Sequence, residues 1–171
     1  MPISLEPLRP GHEAAFLAAV ERSRALHHPW VDPPASAEAF RAGVAKLDGE
    51  RSHSFLAVND AGDLVACINL NEVVRGAFQS CYMGYYAFSP FAGTGLMKQA
   101  MTLALDKAFN ELGLHRLEAN IQPGNAASIA LVQSLGFRHE GFSPRYLKIN
   151  GQWRDHERYA ITAEDWLIVS D

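Results

Sequence analysis

Phe91-Ala-Gly-Thr-Gly-Leu-Met-Lys-Gln-Ala100 is the stretch on which the reading of this 171-residue chain turns. It follows a strand-like run, Tyr82 to Phe88, and breaks into a short glycine loop that opens straight into an amphipathic helix. The first turn of a helix has backbone N–H groups without helical partners, and they converge with the positive end of the helix dipole. An anion fits such a spot. Glycines at 93 and 95 let the main chain approach a phosphate closely and take up backbone angles closed to other residues, so the loop points to a nucleotide-bearing cofactor. The same pattern also serves as a plain turn, and the loop by itself leaves both readings open.

Downstream, Met97, Met101, Ala104, Ala108 and Leu112 line one side of the helix, which stops at Gly113. His115 to Gln122 alternates as a strand, Asn125 to Leu135 reads as a helix ended by Gly136, and a strand begins at Phe137. Asn150-Gly151, between Tyr146-Leu-Lys-Ile149 and Gln152 to Ile161, predicts a tight two-residue hairpin. Upstream, Ile3 to Leu8 is a short strand and Gly11 to Leu26 a helix; Ser36 caps a second helix running to about Leu47. Ser54 to Asn59 and Leu64 to Leu70 pair across the turn Asn59-Asp-Ala-Gly62. The order β–α–α–β–β–β–α–β–α–β–β describes an α/β chain, and its length suits one domain over residues 1–171.

With 48% apolar and 20% charged residues and no low-complexity run, the composition is that of an ordinary globular protein. No stretch approaches the roughly 18 apolar residues of a membrane span. Met1-Pro-Ile-Ser-Leu-Glu6 lacks the basic start and apolar centre of a secretion signal, so the expected location is the cytoplasm. Cys67 and Cys81 sit in apolar runs and read as buried free thiols. A formal charge of −4 with no basic cluster argues against direct nucleic-acid binding and suits a basic substrate. The seven histidines are scattered, His27-His28 apart, and no metal site is expected.

In the strand from His115, residues Arg116, Glu118, Asn120 and Gln122 make one face wholly polar. Two explanations stand: an ion pair between Arg116 and a neighbouring acid on an uncovered face, or a cleft in which Glu118 serves as general base. Asn125, after Pro123-Gly124, is a good helix N-cap whose side chain can accept from the N–H of Ser128. That helix start also brings the Ser128 hydroxyl to where it can donate to a departing thiolate. Tyr82, Tyr85, Tyr86, Phe88 and Phe91 read as core and cleft wall.

The glycine loop after a strand, then His115-Arg-Leu-Glu-Ala119, Pro123-Gly-Asn-Ala-Ala-Ser128, Leu135-Gly-Phe137 and Glu140-Gly141, resembles the GNAT superfamily of N-acetyltransferases. Asn71-Glu-Val-Val-Arg-Gly-Ala-Phe78 and Ile149-Asn-Gly-Gln-Trp-Arg-Asp-His156 narrow the likeness to the RimJ/RimL-type ribosomal-protein N-terminal acetyltransferases, nearer the RimJ branch. It is strong from about Leu64 to Trp166. The resemblance implies the acyl-CoA N-acyltransferase fold: a central mixed sheet splayed between strands 4 and 5, with helices on both faces and acetyl-CoA held in the gap. Gly93, Thr94, Gly95, Leu96 and Met97 would carry the pyrophosphate on main-chain N–H groups. Asn125 would contact the pantetheine arm, Ser128 would sit near the sulfur, and an N–H near Ala87 or Phe88 would polarise the thioester carbonyl.

Three positions depart from the family pattern: Pro90 where the loop often begins with Gln or Arg, Val132 where many relatives place a tyrosine acid, and Leu147 where some place a glutamate. Ser128 is then the preferred acid, with a water as the competitor, and Glu118 the preferred base. The implied acceptor is a protein N-terminal α-amine, of Ala or Ser, with a small amine such as a polyamine or antibiotic as the alternative, or a binding protein without turnover. A monomer or a homodimer is expected. His27-His-Pro-Trp30, Arg75-Gly-Ala-Phe78, Glu72 and Asp32 are the places from which acceptor selection is expected.

Overall fold

The computed structural model describes residues 2–170; Met1 and Asp171, the ends of the span read above as one domain, lie outside the described residues. The strands are β1 (Ile3–Pro7), β2 (His53–Asn59), β3 (Leu64–Val74), β4 (Ser80–Ala87), β5 (Arg116–Ile121), β6 (Arg138–Ile149) and β7 (Gln152–Thr162). The helices are α1 (Glu13–Arg22), α2 (Arg24–His27), α3 (Ala37–Ala45), α4 (Leu96–Asp106), α5 (Ala126–Ser134) and α6 (Ala163–Ser170), with α4 running on into a wider turn over Lys107–Glu111. None of the described helices is long and apolar enough to cross a membrane.

The strands form one seven-stranded sheet in the order β1-β2-β3-β4-β5-β7-β6, antiparallel throughout except where β4 meets β5. Side chains of a strand alternate between faces, and both faces are covered here. On one, Met101 and Leu105 of α4 and Val132 of α5 pack on Ile68, Met83, Leu117 and Ile161. On the other, Phe16 of α1 and Phe40 of α3 pack on Leu56, Cys67 and Phe88. Cys67 and Cys81 are buried free thiols, and burial pushes Cys81 up to about 12. The Asn150-Gly151 hairpin is as expected, both residues having positive φ, 51° and 80°, as the tight turn requires.

The feature that positions the site is the short parallel ladder between β4 and β5. Ser80 to Met83 pair with Arg116 to Ala119, and the pairing then ends. Gly84 to Ala87 of β4 and Asn120 and Ile121 of β5 run on without each other, leaving a wedge in the middle of the sheet.

Two elements differ from the sequence reading. The first helix breaks at Ser23, whose buried hydroxyl donates to the Ala19 carbonyl at 2.7 Å and accepts the Ser89 N–H at 2.9 Å. That bond ties the helix break to the exit of β4, and α2 therefore ends beside the wedge. The closing helix α6 carries Glu164 and Asp165 in its first turn, a favourable placement against the helix dipole.

Candidate active site

The wedge opens into a cavity of about 370 Å³. Gly93, Gly95 and Met97 border it from the loop, and Asn125, Ser128 and Leu131 from the start of α5. Gly95 is the N-cap of α4 with φ +85°, and Gly93 has φ +75°; a side chain at either would project into open space. The intrahelical bonds of α4 begin with the Gln99 N–H, which donates to the Gly95 carbonyl at 3.3 Å. The N–H groups of Leu96, Met97 and Lys98 therefore lack an intrahelical carbonyl and gather at the mouth. Thr94 is exposed and its hydroxyl closes the loop by donating to the Phe91 carbonyl, whereas the Leu96 side chain is buried in the core. Leu96 thus offers a ligand only its main chain, and the Thr94 hydroxyl has its hydrogen engaged within the loop.

A second cavity of about 190 Å³ adjoins the first, sharing Trp30, Val31, Tyr85, Asn125 and Ser128 with it. Its other walls include Tyr82, Asn120, Gln122, Leu147, Ile149 and His156. The two cavities thus meet at the Tyr85–Ser128 junction. There the Tyr85 hydroxyl lies 2.7 Å from Ser128 Oγ. Burial pushes the Tyr85 phenol up to about 12, with the Ser128 bond pulling the other way, so the phenol keeps its hydrogen at neutral pH. Asn125 caps α5 as expected, its Oδ1 accepting the Ser128 N–H at 3.3 Å.

Ala87 and Phe88 part company. The Phe88 N–H donates to the Val65 carbonyl at 2.8 Å and its side chain is fully buried, so the expectation that Phe88 offers an N–H to a thioester is corrected. Successive N–H groups of a strand point to opposite sides, so Ala87 directs its own away from β3 and towards the gap left by β5. The Ala87 carbonyl is engaged: His27 Nε2 donates to it at 2.7 Å. This contact assigns the hydrogen to Nε2 and leaves His27 Nδ1 buried without a partner, and burial holds the His27 pKa below its ordinary value.

Of the two explanations for Glu118, the geometry fits the ion pair and not the preferred role of base in a cleft. Glu118 lines neither cavity; its carboxylate accepts from Arg116 at 3.0 Å. Arg116 also donates to Glu140 at 2.5 Å, and Arg138 to Glu140 at 3.0 Å, which holds the Glu140 carboxyl down at about 2. The polar face of β5 is therefore split, with Arg116 and Glu118 in an ion-pair cluster and Asn120 and Gln122 on the cavity wall. Among the described residues, no three or more His, Cys, Asp or Glu side chains gather as a metal site.

Of the loops expected to select the acceptor, the one at Trp30 borders both cavities, and Trp30 Cη2 comes within 3.1 Å of where a Cβ on Gly124 would stand. Arg75 to Phe78 line neither; they precede β4 at its paired end, where Arg75 donates to the Leu112 carbonyl at 2.7 Å. Glu72 pairs with Arg51 at 2.8 Å. The sequence reads Tyr85 as core and cleft wall and puts His27 in an acceptor loop, but predicts neither the Tyr85–Ser128 contact nor the His27–Ala87 contact, and gives His156 no role of its own. Strand alternation gives their faces but not what stands opposite.

Residues 3–138 match the family model described as an acetyltransferase (GNAT) domain. The chain is 36% identical over 121 residues to the probable N-acetyltransferase YjcK of Bacillus subtilis, which covers 70% of this chain and 67% of that protein. It is 41% identical over 107 residues to the ribosomal protein uS5-alanine N-acetyltransferase of Escherichia coli, which covers 63% of this chain and 55% of the relative, little more than half of its length. The solved structure of Mycobacterium smegmatis RimJ in complex with CoA-disulfide superposes with a TM-score of 0.86 at 32% identity, covering 95% of this chain and 82% of that one. A glycine loop at a helix start, a sheet parted between β4 and β5, and a family match over most of its length together make this chain a member of the GNAT acetyltransferase family.

Proposed function

We propose that the protein moves the acetyl group of acetyl-CoA directly to the N-terminal α-amine of a protein, with a ribosomal protein beginning in Ala or Ser as the acceptor. The observation that carries this reading is the parted ladder between β4 and β5, which joins the helix start of α4 to a second, smaller cavity through one junction. The pyrophosphate lies on the N–H groups of the glycine loop and α4, and the arm of the coenzyme follows the unpaired edge of β4. The Ala87 N–H polarises the thioester carbonyl. The acceptor enters by the second cavity, and Asp32 on the exposed loop beside Trp30 and Val31 draws its positive charge.

An α-amino group titrates at roughly 7.7–8.0 and lysine near 10.4, so a lysine must give up about 3 to 4 kcal/mol more before it can attack. The wedge therefore needs little help to use an α-amine. The amine nitrogen attacks the carbonyl carbon and gives up one proton to a base on the acceptor side, the C–S bond breaks, and Ser128 donates its hydrogen to the leaving sulfur while Tyr85 hydrogen-bonds to Ser128 Oγ. The acceptor named for the E. coli relative, an alanine of ribosomal protein uS5, supports this choice of substrate.

Ser128→Ala lowers kcat about tenfold in a steady-state assay, since water can replace the hydroxyl only in part. Glu118→Gln leaves kcat within about threefold, because a half-buried carboxylate paired with Arg116 and one pleat from the cavity acts only through a screened field. Peptides beginning with Ala or Ser, polyamines and aminoglycosides are to be compared with acetyl-CoA as donor. Acetylation of the peptide α-amine is expected; turnover of the small amines alone would remove the protein acceptor.

A further inference from the structure

One histidine on the wall of the second cavity has no part in the transfer scheme above. His156 of β7 is 2% exposed and stands across from Ser143 of β6. Its Nδ1 lies 2.9 Å from the Arg154 carbonyl oxygen. A carbonyl can only accept, so Nδ1 carries the hydrogen, and in the neutral ring Nε2 is a bare lone pair. Among the described residues none hydrogen-bonds to Nε2. The Tyr146 ring, 6.1 Å away at 60°, packs against the imidazole and holds its orientation. The other residues lining the cavity, Leu147, Ile149 and Asn120 among them, bring no second imidazole, amine or carboxylate. The side chain is buried, yet Nε2 is not among the sealed-off polar atoms, so this basic nitrogen without a protein partner is open on the cavity side, where a donor on the ligand can match it.

We infer that His156 Nε2 is the proton acceptor for the incoming amine, which places a catalytic base on β7 instead of β5. The inference rests on the acetyl-transfer reading above. As the N–C bond forms, the amine nitrogen becomes positive and passes one proton to Nε2. The electrons of the breaking C–S bond go to sulfur, which takes its proton from Ser128. The imidazolium then returns its proton to water, and the Ser128–Tyr85 pair regains one from water, so protons balance over the cycle. Because both cavities share Tyr85 and Ser128, an amine in the second one stands between the base and the departing thiolate.

The test uses the full-length protein, acetyl-CoA and an Ala-initiated peptide. His156→Gln, which keeps a polar end but cannot take up a proton, is expected to lower kcat about 30-fold. KM for acetyl-CoA is expected to stay within about twofold, as for a group that acts on the amine alone. Imidazole added to His156→Ala is expected to restore part of the rate. Wild-type turnover in His156→Gln, or no rescue of a His156→Ala protein that still binds CoA, overturns the assignment. Should both variants fail to fold, the 15N resonances of wild-type His156 decide: Nε2 without a hydrogen, moving when the peptide binds beside CoA, supports it, and a protonated or unmoved Nε2 sinks it. If the wild-type protein acetylates no amine, the transfer reading itself is lost and the inference with it; if it does and His156→Gln equals it, only the inference is lost.

Discussion

Gly95→Val weakens CoA binding by about 100-fold, equivalent to about 2.7 kcal/mol, measured by calorimetric titration of the purified protein. Gly95 holds φ +85° as the N-cap of α4, a region in which a β-branched residue is strained by about 1–2 kcal/mol. A valine there relieves the strain by turning the loop, and the N–H groups of Leu96, Met97 and Lys98 no longer converge. Each charge-assisted bond lost to a phosphate weakens binding by about 1.5–3 kcal/mol. No protein atom stands within 4 Å of a Cβ built on Gly95, so the loss does not come from a clash within the fold. Undiminished CoA affinity in a folded Gly95→Val protein would show that the phosphates sit elsewhere.

Arg116→Leu destabilises the protein by about 2 kcal/mol at neutral pH, less than the 3–5 kcal/mol of a fully buried pair because Arg116 and Glu140 are each 21% exposed. At this chain length that lowers Tm by about 4–8 °C. The dependence on pH has a definite sign. Glu140 is held at about 2, below its ordinary 4.5, first by the bond from Arg116, against burial, and then by Arg138. A carboxyl depressed on folding lends stability that is complete above 4.5 and is lost as pH falls from there to about 2. The difference in Tm between wild type and Arg116→Leu therefore shrinks on acidification through that window. A gap that stays constant from pH 7 to pH 2 would rule out the Arg116–Glu140 pair as its source.

Local features were legible in the sequence where the physics is local. The positive φ at Gly93, Gly95, Asn150 and Gly151, and the cap of Asn125 on Ser128, depend on residues within a few positions of one another. The ion-pair explanation for Arg116 was also open to reading, though its main partner Glu140 lies 24 positions on. What escaped depends on register and distance. Whether Ala87 or Phe88 faces the gap follows from the pairing of β4 with β3, which no local pattern reveals. Tyr85 meets Ser128 across 43 positions, and nothing in an alternating strand tells a wall tyrosine from one that steadies an acid. The break at Ser23 was hidden for the same reason, since its partner is Ser89, 66 positions away.

The parted ladder has a consequence for the protein without its coenzyme. The Tyr85 main chain and the Ala87 N–H form a short edge, the Ala87 carbonyl being taken by His27, and this edge lies inside the sheet where a neighbouring strand would otherwise hide it. Exposed edges invite any extended chain to add itself, which is the first step of unwanted self-association. A coenzyme arm in the slot, as proposed above, would act as a removable eighth strand, sealing the seam while bound and reopening it on release. With the coenzyme seated as proposed, the protein without it would be the more prone to self-association, and the same slot that serves transfer would need its ligand to stay closed.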